Sequence, residues 1–205
     1  MSGLVYETHV TVHCADPAET ERLRGWADLA GLKLTHIVLA RGRMRQQPML
    51  TLAGSASYAE DSARAARTVA VLRADGFLPV RVKTESAPWA PEVPDGRCGG
   101  GQYFEHHVKL LLDAGTGLDA LAARVAPHGA HLSWNARRVH GSGRHERFVT
   151  QRCRGVSGAE AGRALERLLA ELDGFHLLSV EREFVLHDSD ESVDDGWIEE
   201  QEVRG

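Results

Sequence analysis

Four landmarks recur in this chain at one spacing. Tyr103-Phe104-Glu105-His106-His107-Val108-Lys109-Leu110 reads as a strand, and Tyr6-Glu7-Thr8-His9-Val10-Thr11-Val12 is its counterpart. Glu105 follows Glu7, and His107 follows His9, by 98 positions. The same offset pairs Gly31-Leu32-Lys33-Leu34-Thr35 with Gly129-Ala130-His131-Leu132-Ser133, Asp75-Gly76-Phe77 with Asp173-Gly174-Phe175, and Glu85 with Glu183. Agreement at one spacing argues for an internal duplication, with a period too long for a solenoid repeat. Each copy is therefore expected to be a small domain-sized unit.

The expected elements run in the order βαββαβ, twice. Residues 5–12 alternate as a first strand. Asp16-Pro17 supplies an N-cap and a proline at the first helical position, and Gly31 ends that helix. Strands are expected over 33–40, 48–53 and 77–85, with a second helix opened by Ser57 and Glu60 as a capping box. In the second copy, strands are expected over 102–112, 131–139, 147–152 and 176–187. A short helix is expected over 118–127, and another after Ser157 and Glu160, where Leu165, Leu168, Leu169 and Leu172 form an apolar stripe. The stretch 86–101, with three prolines and four glycines, reads as an extended linker. The domain reading is a first repeat over 1–88, a linker over 89–101, a second repeat over 102–188 and an acidic tail over 189–205.

The expected fold class is α+β: two ferredoxin-like βαββαβ units, their antiparallel sheets packed as a pseudo-twofold dimer or a barrel. Each unit covers one sheet face with helices and leaves the other bare. Strand side chains alternate between faces. Tyr6, Thr8, Val10 and Val12 therefore lie under the helices, and Glu7, His9 and Thr11 on the bare face. Arg81, Lys83 and Glu85 share that face in the first copy, and Glu105, His107, Lys109, Ser179, Glu181 and Glu183 in the second. A face that merely packed on its twin would be apolar. These groups need either one another, Lys83 with Glu181 for instance, or a ligand.

Histidine suits acid–base work near neutrality. His9, His107, Glu105, Glu181 and Glu183 are accordingly the catalytic candidates. Glu7, Thr11, Lys83 and Lys109 are ligand-binding candidates. The Glu-x-His pairs with Glu181 and Glu183 also offer oxygen and nitrogen donors for a divalent metal, whose identity is open. His106 points the other way and reads as a core histidine. The two hairpin tips are basic: Arg41, Arg43 and Arg45 in one, and Arg137, Arg138, Arg144, His145 and Arg147 around Gly141-Ser142-Gly143 in the other. Arginines on loops suit phosphate or carboxylate groups. Arg43, Arg45, Arg144 and Arg147 are therefore added as binders of a small anionic metabolite.

The net charge of −5 comes from the tail. Residues 188–205 hold eight acids and only Arg204, which leaves 23 basic and 21 acidic residues in the body. A nucleic-acid partner would call for a stronger basic excess. No apolar run reaches membrane-spanning length, and the start lacks a secretory pattern. Cys14, Cys98 and Cys153 form no disulfide or zinc pattern, so a cytoplasmic setting is expected. In the tail, Asp188, Asp190, Ser192, Asp194 and Glu199 have calcium-loop spacing, but Val193 stands where that loop needs glycine. Trp197 and Ile198 suggest a tail that docks on the body and closes one end of the cleft.

No phosphate-binding glycine loop or nucleophile elbow is present. His9-Val10-Thr11 resembles the His-x-Thr motif of two-histidine phosphoesterases, which are also internally duplicated. The likeness covers these residues alone, and the second copy departs from it with His107-Val108-Lys109. The expectation is an enzyme acting on a small anionic metabolite by His/Glu acid–base chemistry as a hydrolase, isomerase or lyase. The alternative is a non-catalytic module that binds a small ligand or a protein.

Overall fold

Each long helix starts where a side chain can take up its free backbone donors. Asp16 accepts from the Glu19 amide at 2.8 Å, and Pro17 opens the helix with φ already suited to it. Ser157 and Glu160 form a complete capping box. Ser57 forms half of one, because the Glu60 carboxylate takes the Ala56 amide instead. Gly31 ends the first helix at φ 65, where a Cβ would be strained.

The chain is seen in a computed structural model that describes residues 6–136 and 143–198. The first half contains β1 (Tyr6–His13), α1 (Pro17–Ala30), β2 (Lys33–Leu39), β3 (Gln46–Ala53), α2 (Tyr58–Ala74) and β4 (Leu78–Ser86). The second contains β5 (Tyr103–Leu112), α3 (Leu118–Val125), β6 (Ala130–Asn135), β7 (His145–Arg154), α4 (Gly158–Glu171) and β8 (His176–Asp188). The eight strands close into one antiparallel barrel in the order β1-β3-β2-β6-β7-β5-β8-β4. Of the two arrangements expected, facing sheets or a barrel, the chain adopts the barrel. β3 starts at Gln46, so the first hairpin turn is shorter than expected.

Within each half the strands follow the same spatial sequence, β4-β1-β3-β2 and β8-β5-β7-β6. Two short seams join the halves. One pairs Ile37–Leu39 with Ser133–Asn135, and the other pairs Lys83–Ser86 with Phe184–Asp188.

The helices lie on the outside, and apolar side chains gather beneath them in separate clusters. Val10, Leu50 and Leu52 of the barrel meet Leu23, Ala27 and Leu72 of α1 and α2. Val108, Leu110 and Val149 meet Leu121, Leu165 and Leu168 of α3 and α4. A smaller cluster around Phe104 and Phe184, whose rings are 4.8 Å apart, takes in Cys98 from the segment between the halves. That segment is held to the body, not looped free. Tyr6 donates to Glu92 at 2.8 Å, and the Cys98 amide donates to the Val156 carbonyl at 3.0 Å.

With the apolar cores outside, the barrel interior is left to the polar set. Because Leu168 is fully buried, Leu168→Ala should cost ~2–5 kcal/mol through lost burial and a residual cavity. Urea denaturation should show a lower midpoint with an unchanged slope.

Candidate functional site

Inside the barrel is a cavity of about 170 Å³, and Glu7, His9 and Thr11 of β1 point into it. Arg81, Lys83 and Glu85 of β4, Glu105 and His107 of β5, and Glu181 and Glu183 of β8 join them. The alternation read from the sequence thus puts eight of the thirteen candidate residues around one space: Glu7, His9, Thr11, Lys83, Glu105, His107, Glu181 and Glu183.

The two histidines have matching surroundings. His9 Nε2 lies 3.4 Å from Glu7 and 3.1 Å from Glu85, with Thr51 Oγ1 3.2 Å from Nδ1. His107 Nε2 lies 3.5 Å from Glu105 and 3.3 Å from Glu183, with Thr150 Oγ1 2.9 Å from Nδ1. Lys83 Nζ sits between them, 2.6 Å from Glu85 and 2.6 Å from Glu105, instead of pairing with Glu181. Glu105 also accepts from Arg152 at 3.0 Å.

This geometry shifts the proton affinity of the groups. Burial works against charge on His107, but the Glu183 and Glu105 carboxylates outweigh it and raise its pKa to about 10. His9 is raised in the same way, with Glu85 outweighing burial. Burial opposes ionisation of Glu105 too, yet the ammonium of Lys83 and the guanidinium of Arg152 hold it well below the usual carboxylate range. Burial and the neighbouring Glu85 charge push Glu183 up, against the pull of His107. His106, buried on the helix side beside Gln151, is lowered by desolvation, as suits a core histidine.

The remaining candidates lie elsewhere. Lys109 Nζ is 2.6 Å from Glu146, beside Phe148, and Lys109 does not line the cavity. Arg43 donates to Ser192 and Arg45 to the Leu39 carbonyl. Arg144 pairs with Asp113, and Arg147 stacks over Trp134 at 5.0 Å. None of these four arginines lines the cavity. Arg137, Arg138 and the Gly141-Ser142 pair fall outside the described residues, as does Glu199.

Glu85, Glu105, His107 and Glu183 present ligand atoms within 4.8 Å of one another, a donor set of the kind a divalent cation takes. Lys83 already supplies a positive charge to two of these carboxylates. The calcium reading of the tail meets a similar difficulty, because Asp188 and Asp194 are committed to arginines. Arg81 Nη2 lies 2.5 Å from Asp188, while Arg81 Nη1 and Arg152 Nη2 each lie 2.9 Å from Asp194.

Sequence reasoning missed Arg152, Thr150 and Thr51 as interior groups, and Asp194 as a visitor from the tail. Phe148, Thr150 and Arg152 alternate on β7, so extending the period-two argument to the third strand of each unit would have found them. Trp197 is buried, lines the cavity and donates from Nε1 to the Leu132 carbonyl at 2.9 Å.

Comparison with known proteins adds little. No protein-family model matches, and no curated protein matches. Among solved structures, one described as a "putative glycine cleavage system transcriptional repressor" is similar at 12% identity and TM-score 0.30. The match covers 88% of this chain and 98% of that one. At that TM-score the likeness carries no argument about what this chain does. No helix among the described residues is long and apolar enough to cross a membrane.

The acid–base enzyme expected from the sequence is corrected here. It required histidines titrating near working pH, and their surroundings move them away from it. Two carboxylates flank each imidazole and favour its protonated form, which has no lone pair to act as a base. With a pKa of about 10, His107 is also a poor acid at neutral pH. His9, in the motif-like triplet His9-Val10-Thr11, likewise has Glu7 and Glu85 at its Nε2.

The sign of the pH effect follows. His107 binds its proton more tightly folded than unfolded, where its pKa is about 6.5. Its stabilisation is complete below that value and is lost as pH rises toward about 10. Chemical denaturation between pH 6 and 10 should therefore show wild-type stability falling with pH, and His107→Gln should flatten that slope. Parallel curves would show that His107 is not held protonated.

Proposed function

We propose that this chain is a non-catalytic module that binds a small ligand inside its barrel. The observation that supports this most is the lining itself. A barrel interior that only had to be filled would be apolar throughout, and this one keeps a cavity in which ionisable groups stand beside Ile37, Leu39, Met49, Phe148 and Trp197, at the cost of burying charge. The matching element order and the two His/Glu/Glu/Thr clusters support reading the halves as ferredoxin-like copies of one unit, first over 1–88 and then over 102–188.

Charge balance constrains the ligand. The lining holds six carboxylates, Glu7, Glu85, Glu105, Glu181, Glu183 and Asp194. It also holds the bases Lys33, Arg81, Lys83 and Arg152, and His9 and His107, which bring the cations to six when protonated. An anion simply added to this set would be uncompensated. An anionic ligand is therefore accommodated by exchange, taking the place of a carboxylate already there.

A thermal-shift panel of small carboxylated, phosphorylated, amino-bearing and neutral metabolites, followed by calorimetry, tests the reading. A hit should bind without being consumed. Thr35→Phe, which narrows the cavity, should weaken it at least tenfold while leaving the melting midpoint close to wild type. Turnover of a hit, or equal affinity in Thr35→Phe, would defeat the proposal.

A further inference from the structure

Of the two lining side chains that no barrel strand supplies, Asp194 and Trp197, the carboxylate is the informative one. Asp194 closes a short 3-10 turn, Glu191–Asp194, in the segment that follows β8 and folds back over the barrel. Its carboxylate reaches donors from three strands. Oδ2 accepts from Arg81 Nη1 of β4 and from Arg152 Nη2 of β7, each at 2.9 Å. Oδ1 accepts from Gln47 Nε2 of β3 at 3.0 Å. Converging, charge-assisted donors of this kind are how proteins bind a free carboxylate.

The barrel does not rely on Asp194 to neutralise these arginines one by one. Arg81 has a two-pronged pair with Asp188, at 2.8 Å from Nε and 2.5 Å from Nη2. Arg152 pairs with Glu105 at 3.0 Å from Nε and 2.9 Å from Nη2. Each guanidinium thus has an edge held by a strand carboxylate and turns a further N–H toward Asp194.

The segment that brings Asp194 in is seated by a small set of contacts. Trp197 donates to the Leu132 carbonyl, the Arg43 amide donates to the Asp195 carbonyl at 2.7 Å, and Arg154 pairs with Glu191. Gly42, at φ 110, lets the backbones approach, since a Cβ there would stand 2.9 Å from the Trp197 nitrogen.

We propose that Arg81, Arg152 and Gln47 are a carboxylate-binding subsite of the barrel interior, filled by the chain's own Asp194, so that residues 189–198 are a built-in competitor for a carboxylate-bearing ligand. This rests on the ligand-binding reading above and narrows its chemical class. It also satisfies the charge constraint, since one carboxylate replaces another. Asp194 and Trp197 line the same cavity as His9 and His107, so a ligand that displaces the segment gains both the clamp and the room behind it.

The probe is sodium formate, a carboxylate small enough to enter where the Asp194 side chain is removed. In the full chain, formate should raise the melting midpoint of Asp194→Ala by several degrees more than sodium chloride at equal ionic strength. It should do nothing specific to wild type or to Asp194→Asn, whose side chain still fills the place. Adding Arg152→Gln should abolish the effect. A cooperatively melting Asp194→Ala that formate does not stabilise overturns the proposal.

If Asp194→Ala does not fold, Trp197→Ala decides. It loosens the segment without touching the clamp, so formate should speed amide hydrogen exchange across 190–198. Unchanged exchange overturns the proposal. The two readings fail separately. A metabolite that binds inside the barrel equally well to wild type and Asp194→Ala sinks the competitor and spares the module. Formate rescue with a panel in which no metabolite binds inside the barrel supports the clamp and sinks the module.

Discussion

The ammonium of Lys83 lies 2.6 Å from a carboxylate of each half, Glu85 on β4 and Glu105 on β5. That sharing links the two halves of the barrel interior. Glu105 passes the link to Arg152 on β7 and to His107, and Glu85 passes it to His9. The link runs across a seam where only Lys83–Ser86 of β4 meets β8, so few backbone bonds close the barrel there. Removing one partner of a buried pair leaves the other uncompensated, a cost of roughly 3–5 kcal/mol. The interior therefore holds as a connected set.

Such a set is a poor way to gain stability. Desolvating paired charges commonly offsets what their attraction returns, and apolar side chains of similar size would do as well or better. The folding free energy comes instead from the clusters beneath the helices, where Leu23, Leu72, Leu168 and Leu172 are fully buried. This separation leaves the interior free to be shaped for something other than folding. It also explains the histidines. Placed among carboxylates, both are shifted toward the protonated form, in which an imidazole acts as a cation with a fixed direction.

The elements and the polar face were legible because they rest on local rules: caps, glycine stops and period-two alternation. The sequence reading placed Glu7, His9, Glu105 and His107 together for that reason. What it missed came from further away. Thr51 and Thr150 make equivalent bonds but stand 99 positions apart, one more than the landmarks, so a strict offset passes over them. The seams pair strands with no connecting turn to announce them. Asp194 reaches the interior only because the chain doubles back after β8. The hairpin arginines do not line the cavity, and charge at a loop tip looks the same in sequence whether it awaits a ligand or bonds its neighbours, as Arg45 does with Leu39 and Arg144 with Asp113.

The halves agree in layout and differ where the charges concentrate. Counting 98 positions on, Arg81 becomes Ser179, Lys83 becomes Glu181 and Thr11 becomes Lys109. With the offset of 99 that relates the threonines, Arg152 corresponds to Ala53. The buried cations Arg81, Lys83 and Arg152 therefore lie within the contiguous strands β7-β5-β8-β4 and have no counterparts opposite. A barrel from two identical halves would offer two equivalent places and no preference between them. Here one side has the arginines, and Asp188 at the end of β8 and Asp194 just beyond it are brought to them. The asymmetry gives the interior a single orientation, set by which strands carry its cations.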